Sequence, residues 1–154
     1  MRRVVGIDLG TQSVKVAVVA ADGEVLSSAV RPYAVDSRQS GWAETDPQAW
    51  LAAALDAARE ALASGDAPPD AIGLSGQMHG VVLCDAEGTP VRPAITWADP
   101  RSAPQARRIA QDLGRAELAR LGSAPFPGFA GVTLAWLAEH EPDALARARW
   151  ALQP

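Results

Sequence analysis

The chain of 154 residues is 48% hydrophobic and 21% charged with a formal net charge of −4, which is typical of a globular protein long enough for one well-buried domain. Its basic residues are scattered rather than clustered, so the composition gives no support to nucleic-acid binding. No apolar run approaches the length of a signal-peptide core or a transmembrane helix, which predicts no membrane partner. Cys84 is the only cysteine and no internal disulfide can form, so a cytoplasmic location is expected.

The first half of the chain is predicted to form a mixed α/β arrangement. Strands are predicted, in order, over Arg3–Asp8, Val14–Ala20 and Glu24–Tyr33. Asp46 is the expected N-cap of a helix that begins at Pro47 and stops at Ser64-Gly65. A short apolar strand, Ala71–Ser75, follows that helix. Hairpins followed by a strand–helix–strand unit predict an α/β domain with a mixed sheet.

The second half is predicted to be mostly helical after one more hairpin. Two strands, Val81–Cys84 and Val91–Trp97, form that hairpin around an Asp/Gly turn. Helices are predicted over Ala103–Leu113, Arg115–Leu121 and Val132–His140, and a final strand begins at Arg149. The loop Pro125–Phe129 is stiff and aromatic, and its Phe126 and Phe129 are expected to belong to the core or to form a cleft wall.

The first strand and the turn that follows it are the most informative part of the chain. The strand ends in Asp8, and a buried carboxylate there is costly unless it is paired or lies near a cation. The turn offers backbone N–H groups and the hydroxyls of Thr11 and Ser13, which suit phosphate oxygens. A Mg²⁺-nucleotide site is therefore indicated, with Asp8 as the metal ligand and Gly10, Thr11, Gln12 and Ser13 on the phosphates. The alternative is a tight hairpin in which Asp8 merely caps the turn.

A second polar segment, Gly76-Gln77-Met78-His79-Gly80, lies at the end of a buried strand between two glycines. In open α/β sheets, ligands bind outside the carboxyl ends of strands. Gln77 and His79 offer donors and acceptors that a polyol can use, and Met78 offers an apolar wall. The alternative is that His79 is a hydrogen-bonded structural residue in a turn.

Asp99 and Arg101 form a third candidate group after the second hairpin. Asp99 can accept a hydrogen bond from a sugar hydroxyl, and Arg101 can pair with Asp99 or with a phosphate. Capping of the helix after Pro100 is the main role expected of Asp99, and ligand contact is compatible with it.

The remaining aromatic and ionisable residues are expected to pack in the core or to face solvent rather than to bind a ligand. Trp42, which precedes the first predicted helix, is expected to pack, and His140 is expected to be solvated. Two distant histidines and a single cysteine predict no metal-ligand cluster. No Ser-His-Asp arrangement is predicted, because Ser75 precedes His79 by too little to place a third partner.

Four motifs, in this order, resemble those in the N-terminal domain of the FGGY carbohydrate kinases. They are Gly6-Ile7-Asp8-Leu9-Gly10-Thr11, Gly41-Trp42-Ala43-Glu44-Thr45-Asp46-Pro47, Gly76-Gln77-Met78-His79-Gly80 and Trp97-Ala98-Asp99-Pro100-Arg101. The likeness continues through Pro127-Gly128-Phe129 and His140-Glu141-Pro142, so it covers residues 1–154 as one domain. The Gln-Met-His-Gly sequence is the more specific signal, and it resembles the xylulokinase branch of the family.

The resemblance implies a ribonuclease-H-like, actin-like fold and ATP-dependent phosphorylation of D-xylulose at its 5-hydroxyl. It implies that Asp8 lies near Mg²⁺ and the ATP phosphates, helped by Thr11. The substrate-binding residues expected from it and from the residue patterns are Gln77, Met78, His79, Asp99 and Arg101. Phosphoryl transfer demands positioning and charge neutralisation, which a Mg²⁺-binding carboxylate and backbone amides supply.

Two features depart from the family pattern. Val132-Thr133 stands where the family usually has Pro-Lys, so a cationic side chain is missing at Thr133. The family's catalytic-base aspartate, second phosphate motif and adenosine pocket lie beyond the end of the chain. The domain is therefore expected to be incomplete at its C-terminus and inactive alone. An exposed cleft face that includes Phe126, Phe129 and Trp136 is then expected to promote self-association.

Two alternatives remain open for the function. The first is another FGGY kinase that acts on ribulose, gluconate or glycerol, although Met78-His79 disfavours glycerol, since that branch usually has an Arg-Glu pair there. The second is a non-catalytic remnant that binds sugar or a partner.

Overall fold

Eight strands and five helices are present in the described part of the chain, which comprises residues 2–37, 39–63 and 68–154 of a computed structural model. In chain order they are β1 (Arg3–Leu9), β2 (Ser13–Ala20), β3 (Val25–Pro32), β4 (Glu44–Thr45), α1 (Pro47–Leu62), β5 (Ala71–Gly76), β6 (Val82–Cys84), β7 (Ala94–Ile95), α2 (Ala103–Asp112), α3 (Arg115–Leu121), α4 (Ala130–His140), α5 (Pro142–Arg147) and β8 (Trp150–Leu152). They belong to two compact units. The first unit consists of Met1–Val35 and Pro47–Gln77, and the second of Asp36–Asp46 and Met78–Pro154. None of the described helices is long and apolar enough to cross a membrane.

The first unit is a four-stranded sheet with α1 packed on one face. The strands lie in the order β3-β2-β1-β5, and β1 is antiparallel to β2 and parallel to β5, which confirms the predicted mixed sheet. Because side chains alternate along a strand, Val14, Val16 and Val18 of β2 all point to the same face. There they pack in one cluster with Ala57 and Ala61 of α1. Val5 of β1, the register partner of Val18, belongs to the same cluster. The side chains of β1 and β2 that alternate with these residues, including those of Asp8 and Lys15, therefore lie on the sheet face that α1 does not cover.

The helix α1 begins at Pro47, as predicted, and ends at Leu62. The predicted stop, Ser64-Gly65, lies outside the described residues. The helix packs mainly on β2 and β3. At the edge of the sheet, Ile72 and Leu74 of β5 are therefore 63% and 80% exposed.

The second unit is built from two short ladders and four helices. Strand β4 pairs with β7 and β6 pairs with β8, both antiparallel. Its core cluster consists of Val81, Leu83, Ile95, Trp136, Leu137 and Ala144. Trp136 is only 7% exposed, so the expectation that it lies on an exposed face is wrong. Its ring meets that of Trp42 edge to face at 5.8 Å, which confirms the packing role expected of Trp42.

Two prolines explain the main differences from the predicted elements of the second unit. The predicted strand Val91–Trp97 is reduced to β7, because Pro93 cannot donate to a ladder. The helix α5 was not predicted, and it begins at Pro142, in a helical position where a missing N–H costs little. The predicted helices α2 and α3 and the strand β8 are present, and α4 begins at Ala130, before the predicted start at Val132.

Candidate functional site

Asp8 lies near the C-terminal end of β1, on the sheet face opposite α1. The strand register pairs Asp8 with Lys15 on β2 and with Ser75 on β5, so these three side chains share that face. They line an open pocket of about 350 Å³ together with Gly6 and Gly73, which put no side chain into it. Asp8 is exposed, so the expectation of a buried carboxylate is wrong, because its place in the alternation turns it away from the core.

The turn after β1, residues 10–13, is held by hydrogen bonds from three directions. The Gly10 N–H donates to the Ser13 carbonyl oxygen at 3.0 Å. The Tyr33 hydroxyl donates toward the carbonyl oxygen of Gly10 and, at 3.0 Å, that of Ser13. Gln77 donates from Nε2 to the Gly10 carbonyl oxygen at 3.2 Å. The residues predicted to bind phosphate therefore lie on a fixed turn.

Tyr33 is a permanent donor in this arrangement. Burial of the phenol, and secondarily the negative charge of Asp8, raises the pKa of Tyr33 to about 12. Its ring also packs edge to face against Trp50, with centroids 6.4 Å apart. The hydroxyl therefore stays protonated at physiological pH and keeps its bonds to the turn.

Gln77 also bonds this turn, and its side chain keeps one polar atom without a hydrogen-bond partner among the described residues. Its backbone N–H donates to the Leu9 carbonyl oxygen at 3.0 Å, which fixes the residue beside the turn. Its side-chain Oε1 is buried and has no hydrogen-bond partner among the described residues. A buried acceptor without a donor is unfavourable, so Oε1 is available to a ligand that brings an N–H or O–H group.

The donor chemistry of the Asp8 face suits a hydrated divalent cation that is held partly by phosphate oxygens. Asp8 supplies one carboxylate and Ser75 a hydroxyl, while Lys15 adds positive charge on the same face. No group of three or more His, Cys, Asp or Glu side chains in the described ranges could hold a metal ion by itself. Mg²⁺ commonly uses one or two carboxylates with several waters and the substrate phosphates, so the residues present fit Mg²⁺–ATP.

His79 is the most unusual residue of the second unit. Its φ of 61° is left-handed, and no other described non-glycine residue has a positive φ. Its imidazole stacks on the ring of Phe129, with centroids 4.2 Å apart and planes inclined by 22°. Met78 beside it is 73% exposed. The segment therefore presents an apolar side chain and a fixed imidazole next to each other.

The loop that carries Phe129 is fixed by Gly128. The φ of Gly128 is 88°, and a Cβ built there would lie 2.0 Å from the Trp97 carbonyl oxygen, so only glycine fits. Its N–H donates to the Ser102 hydroxyl oxygen at 3.3 Å, and its carbonyl oxygen accepts from the Gly80 N–H at 3.3 Å. Gly128 therefore ties the aromatic loop to the segment that contains His79.

Asp99 and Arg101 are buried against each other, with side chains 0% and 2% exposed. The carboxylate accepts from Arg101 Nε at 2.9 Å and Nη2 at 2.7 Å, and from the backbone N–H groups of Arg101 and Ala43 at 2.9 and 2.6 Å. The guanidinium carbon lies 3.5 Å from the ring centre of Trp42. These contacts join the Trp42 loop to the turn at Asp99, and sugar contact by the pair stays a prediction.

The pair belongs to a larger buried network. Glu44 forms an ion pair with Arg101, whose Nη1 lies 2.8 Å away but is not oriented for a hydrogen bond. Glu44 also accepts a hydrogen bond from Arg92 Nη2 at 2.5 Å. Arg92 also donates from Nε to Glu141 at 2.8 Å. Each buried charge therefore faces one of opposite sign, which offsets its desolvation.

Two aromatic expectations have different outcomes. Phe129 is half-buried, as expected of a residue in the core or in a cleft wall, but Phe126 is 59% exposed and does not belong to the core. His140 is exposed, as predicted, although its ring also stacks on Trp136 with centroids 4.6 Å apart.

The predicted site residues fall into two groups. The first unit contains Asp8, Gly10, Thr11, Gln12, Ser13 and Gln77, and the second contains Met78, His79, Asp99 and Arg101. Sequence reasoning missed Lys15, Tyr33 and Phe129 as parts of these groups. A hairpin that turns at residues 10–12 pairs position 8 with position 15, so the register could have identified Lys15. No local signal could have identified the other two, because their partners are distant in the sequence.

Comparison with known proteins agrees with these observations. Residues 3–154 match the N-terminal domain of the FGGY family of carbohydrate kinases. The chain is 48% identical over 147 residues to the xylulose kinase of Streptomyces coelicolor, a match that covers 92% of this chain and 29% of that protein. It is 43% identical over 151 residues to the xylulose kinase of Streptomyces rubiginosus, covering 95% of this chain and 30% of that protein.

Solved structures give the same result. The crystal structure of xylulose kinase from Rhodospirillum rubrum matches with a TM-score of 0.92 and 30% identity, over 97% of this chain and 32% of that one. The fold is thus that of the actin-like sugar kinases, and the expected ribonuclease-H-like class is confirmed. The chain belongs to the FGGY family of carbohydrate kinases. It spans about 30% of the length of the curated relatives it matches.

Proposed function

We propose that this chain is the sugar-binding part of an ATP-dependent kinase that phosphorylates D-xylulose. The observation that carries the proposal is the conformation of Met78-His79, an exposed apolar side chain beside an imidazole held in a strained backbone. The 48% identity to a xylulose kinase supports this choice of sugar.

The first unit is proposed to receive the phosphates. Asp8 would hold Mg²⁺, and the N–H groups and hydroxyls of residues 10–13 would bond phosphate oxygens from a turn fixed by Tyr33. Lys15 shares the face of Asp8 and would neutralise part of the phosphate charge. When bound, Mg²⁺–ATP supplies the transferable phosphoryl group and the charge neutralisation that this transfer requires.

The sugar is proposed to bind through Met78 and His79. The ring nitrogens of His79 offer hydrogen bonds to hydroxyl groups, and Met78 packs on the C–H face of the sugar. Gln77 belongs to the first unit, where ligand contact by its unpartnered Oε1 stays a prediction. Asp99 and Arg101 are proposed to serve the same site by fixing the turn whose Trp97 carbonyl contacts Gly128.

The test of this proposal uses a hybrid enzyme, because the chain spans about 30% of its relatives. Residues 1–154 replace the matching segment of the Streptomyces coelicolor xylulose kinase, and ATP turnover is measured with D-xylulose and with glycerol. The hybrid is expected to turn over D-xylulose faster than glycerol and to lose that activity on Asp8→Ala. The matched control is Asp22→Ala, which removes an acid from the β2–β3 turn of the same unit.

Two results would overturn the proposal. One is a hybrid that prefers glycerol to D-xylulose. The other is an Asp8→Ala hybrid as active as the Asp22→Ala control.

A further inference from the structure

We infer that Phe129 and Ser102 are positioning residues for His79, and that through His79 they set the affinity of this site for D-xylulose. The inference rests on the proposed function, because it concerns the same sugar site. All the residues involved lie in the second unit.

His79 needs support from its surroundings to keep its conformation. A left-handed backbone is unfavourable for a histidine and persists only where neighbouring contacts enforce it. The stack on Phe129 holds the side chain, with ring centroids 4.2 Å apart. The N–H of the next residue, Gly80, donates to the Gly128 carbonyl oxygen at 3.3 Å and holds the backbone. Both supports come from one loop.

Ser102 fixes that loop through a hydroxyl that its own helix does not use. The residue is the N-cap of α2, where a serine usually accepts a hydrogen bond from the first turn, but here it makes no side-chain cap bond. Its Oγ instead accepts from the Gly128 N–H at 3.3 Å, and the residue is 0% exposed. Gly128 is therefore held at both ends: its N–H donates to Ser102, and its carbonyl oxygen accepts from Gly80.

This arrangement fixes which part of His79 a ligand can reach. One face of the imidazole is covered by Phe129, so a sugar can meet only the ring edge and the other face. A histidine released from the loop would keep its nitrogens but lose their direction, and a directional hydrogen bond weakens steeply when misaligned. The loop therefore affects sugar affinity without touching the sugar.

The test compares Phe129→Leu with Phe126→Leu in the 154-residue chain. Phe126 is a matched control because it lies in the same loop, is 59% exposed and has its ring 6.1 Å from that of Phe129. The first measurement is the upfield ring-current shift of the His79 imidazole protons without sugar. The second is the Kd for D-xylulose, followed by NMR titration with glycerol as the comparison ligand.

Phe129→Leu is expected to remove the ring-current shift and to raise the Kd by about two- to tenfold. Ser102→Ala should change both quantities in the same direction. Phe126→Leu and the conservative Phe129→Tyr should keep both near the wild-type values. If Phe129→Leu does not fold, the ring-current shift and the Kd of Ser102→Ala are compared with those of Phe129→Tyr, and that comparison tests the positioning role.

The positioning role is overturned if the shift survives in Phe129→Leu and Ser102→Ala, or if it is lost while the Kd stays unchanged. A wild-type chain that shows the ring-current shift but binds D-xylulose no better than glycerol overturns the proposed function itself. The sugar-free measurement distinguishes these two failures.

Discussion

Asp99 and Arg101, two residues apart, form a bidentate ion pair with Nε–Oδ1 at 2.9 Å and Nη2–Oδ2 at 2.7 Å. The pair is nearly inaccessible to solvent, with side chains 0% and 2% exposed. The same carboxylate accepts the Ala43 N–H, so it joins two loops that are far apart in the sequence. The Asp99 carboxylate is thus fully occupied by donors from the protein, so substitution of Asp99 should lower the stability of the fold.

Asp99→Asn is expected to lower the free energy of unfolding by about 3 kcal/mol, because it leaves a buried guanidinium with one partner fewer. Chemical denaturation monitored by tryptophan fluorescence measures this change. Glu139→Gln is the control, since it breaks the exposed pair of Glu139 with Arg108 and should have a much smaller effect. Equal losses in the two variants would refute the structural role of Asp99.

Gly128→Ala is expected to destabilise the second unit by at least about 3 kcal/mol, because the added Cβ would lie 2.0 Å from the Trp97 carbonyl oxygen. Gly122→Ala is the matched control. Its φ of 74° is also left-handed but it has open space for a Cβ, so a cost of about 1 kcal/mol is expected. Thermal unfolding of both variants measures the difference, and a tolerated Gly128→Ala would show that the loop is not tied to Trp97.

Tyr33 predicts a loss of stability at alkaline pH. The pKa of Tyr33 is raised to about 12 in the folded chain, above the ordinary tyrosine value of 10.0 that applies in the unfolded state. Between these two values the folded state keeps the phenol proton that the unfolded state releases. The stability from this group is therefore fully present below pH 10 and falls as the pH rises toward 12. Because Tyr33 is the only tyrosine, tyrosinate absorbance follows this titration directly.

Tyr33→Phe tests the same residue by substitution. Loss of its hydrogen bonds to the turn should cost about 1 kcal/mol at neutral pH. The alkaline decrease in stability should become smaller in the variant. A tyrosinate titration of the wild-type chain with its midpoint near pH 10 would contradict the buried, donating hydroxyl of Tyr33.

The exposed edge strand β5 predicts self-association of the chain. Ile72 and Leu74 are 63% and 80% exposed on a strand at the edge of its sheet, a combination that favours pairing between chains. Leu74→Lys is expected to shift the chain toward monomer in light-scattering chromatography. Leu51→Lys on α1, where the leucine is 55% exposed, is the control and should leave association unchanged. A monomeric wild-type chain at micromolar concentration would refute the prediction.

Much of the first unit could be predicted from the sequence, because its determinants are local. Alternating valines fix β2, and Pro47 fixes the start of α1. The exposure of Asp8 could not be predicted from the turn pattern alone. It depends on which face α1 covers, and that choice is made by tertiary packing.

The second unit was less predictable because distant contacts determine it. Pro142 ends one helix and begins another, and a single sequence does not distinguish these roles. The stack of His79 on Phe129 joins residues from separate loops, and no periodicity reports such a contact. The sequence therefore named His79 as a candidate, while its stack on Phe129 became visible only in the structure.

The most direct measurement of the central claim is an NMR titration of the 154-residue chain with D-xylulose and, separately, with glycerol. The claim predicts that D-xylulose shifts the signals of Met78 and His79, that glycerol does not, and that His79→Asn reduces the response. Asparagine is chosen because it tolerates the left-handed backbone of this position. Equal perturbation of the same residues by both ligands would contradict the assignment of a xylulose site to this chain.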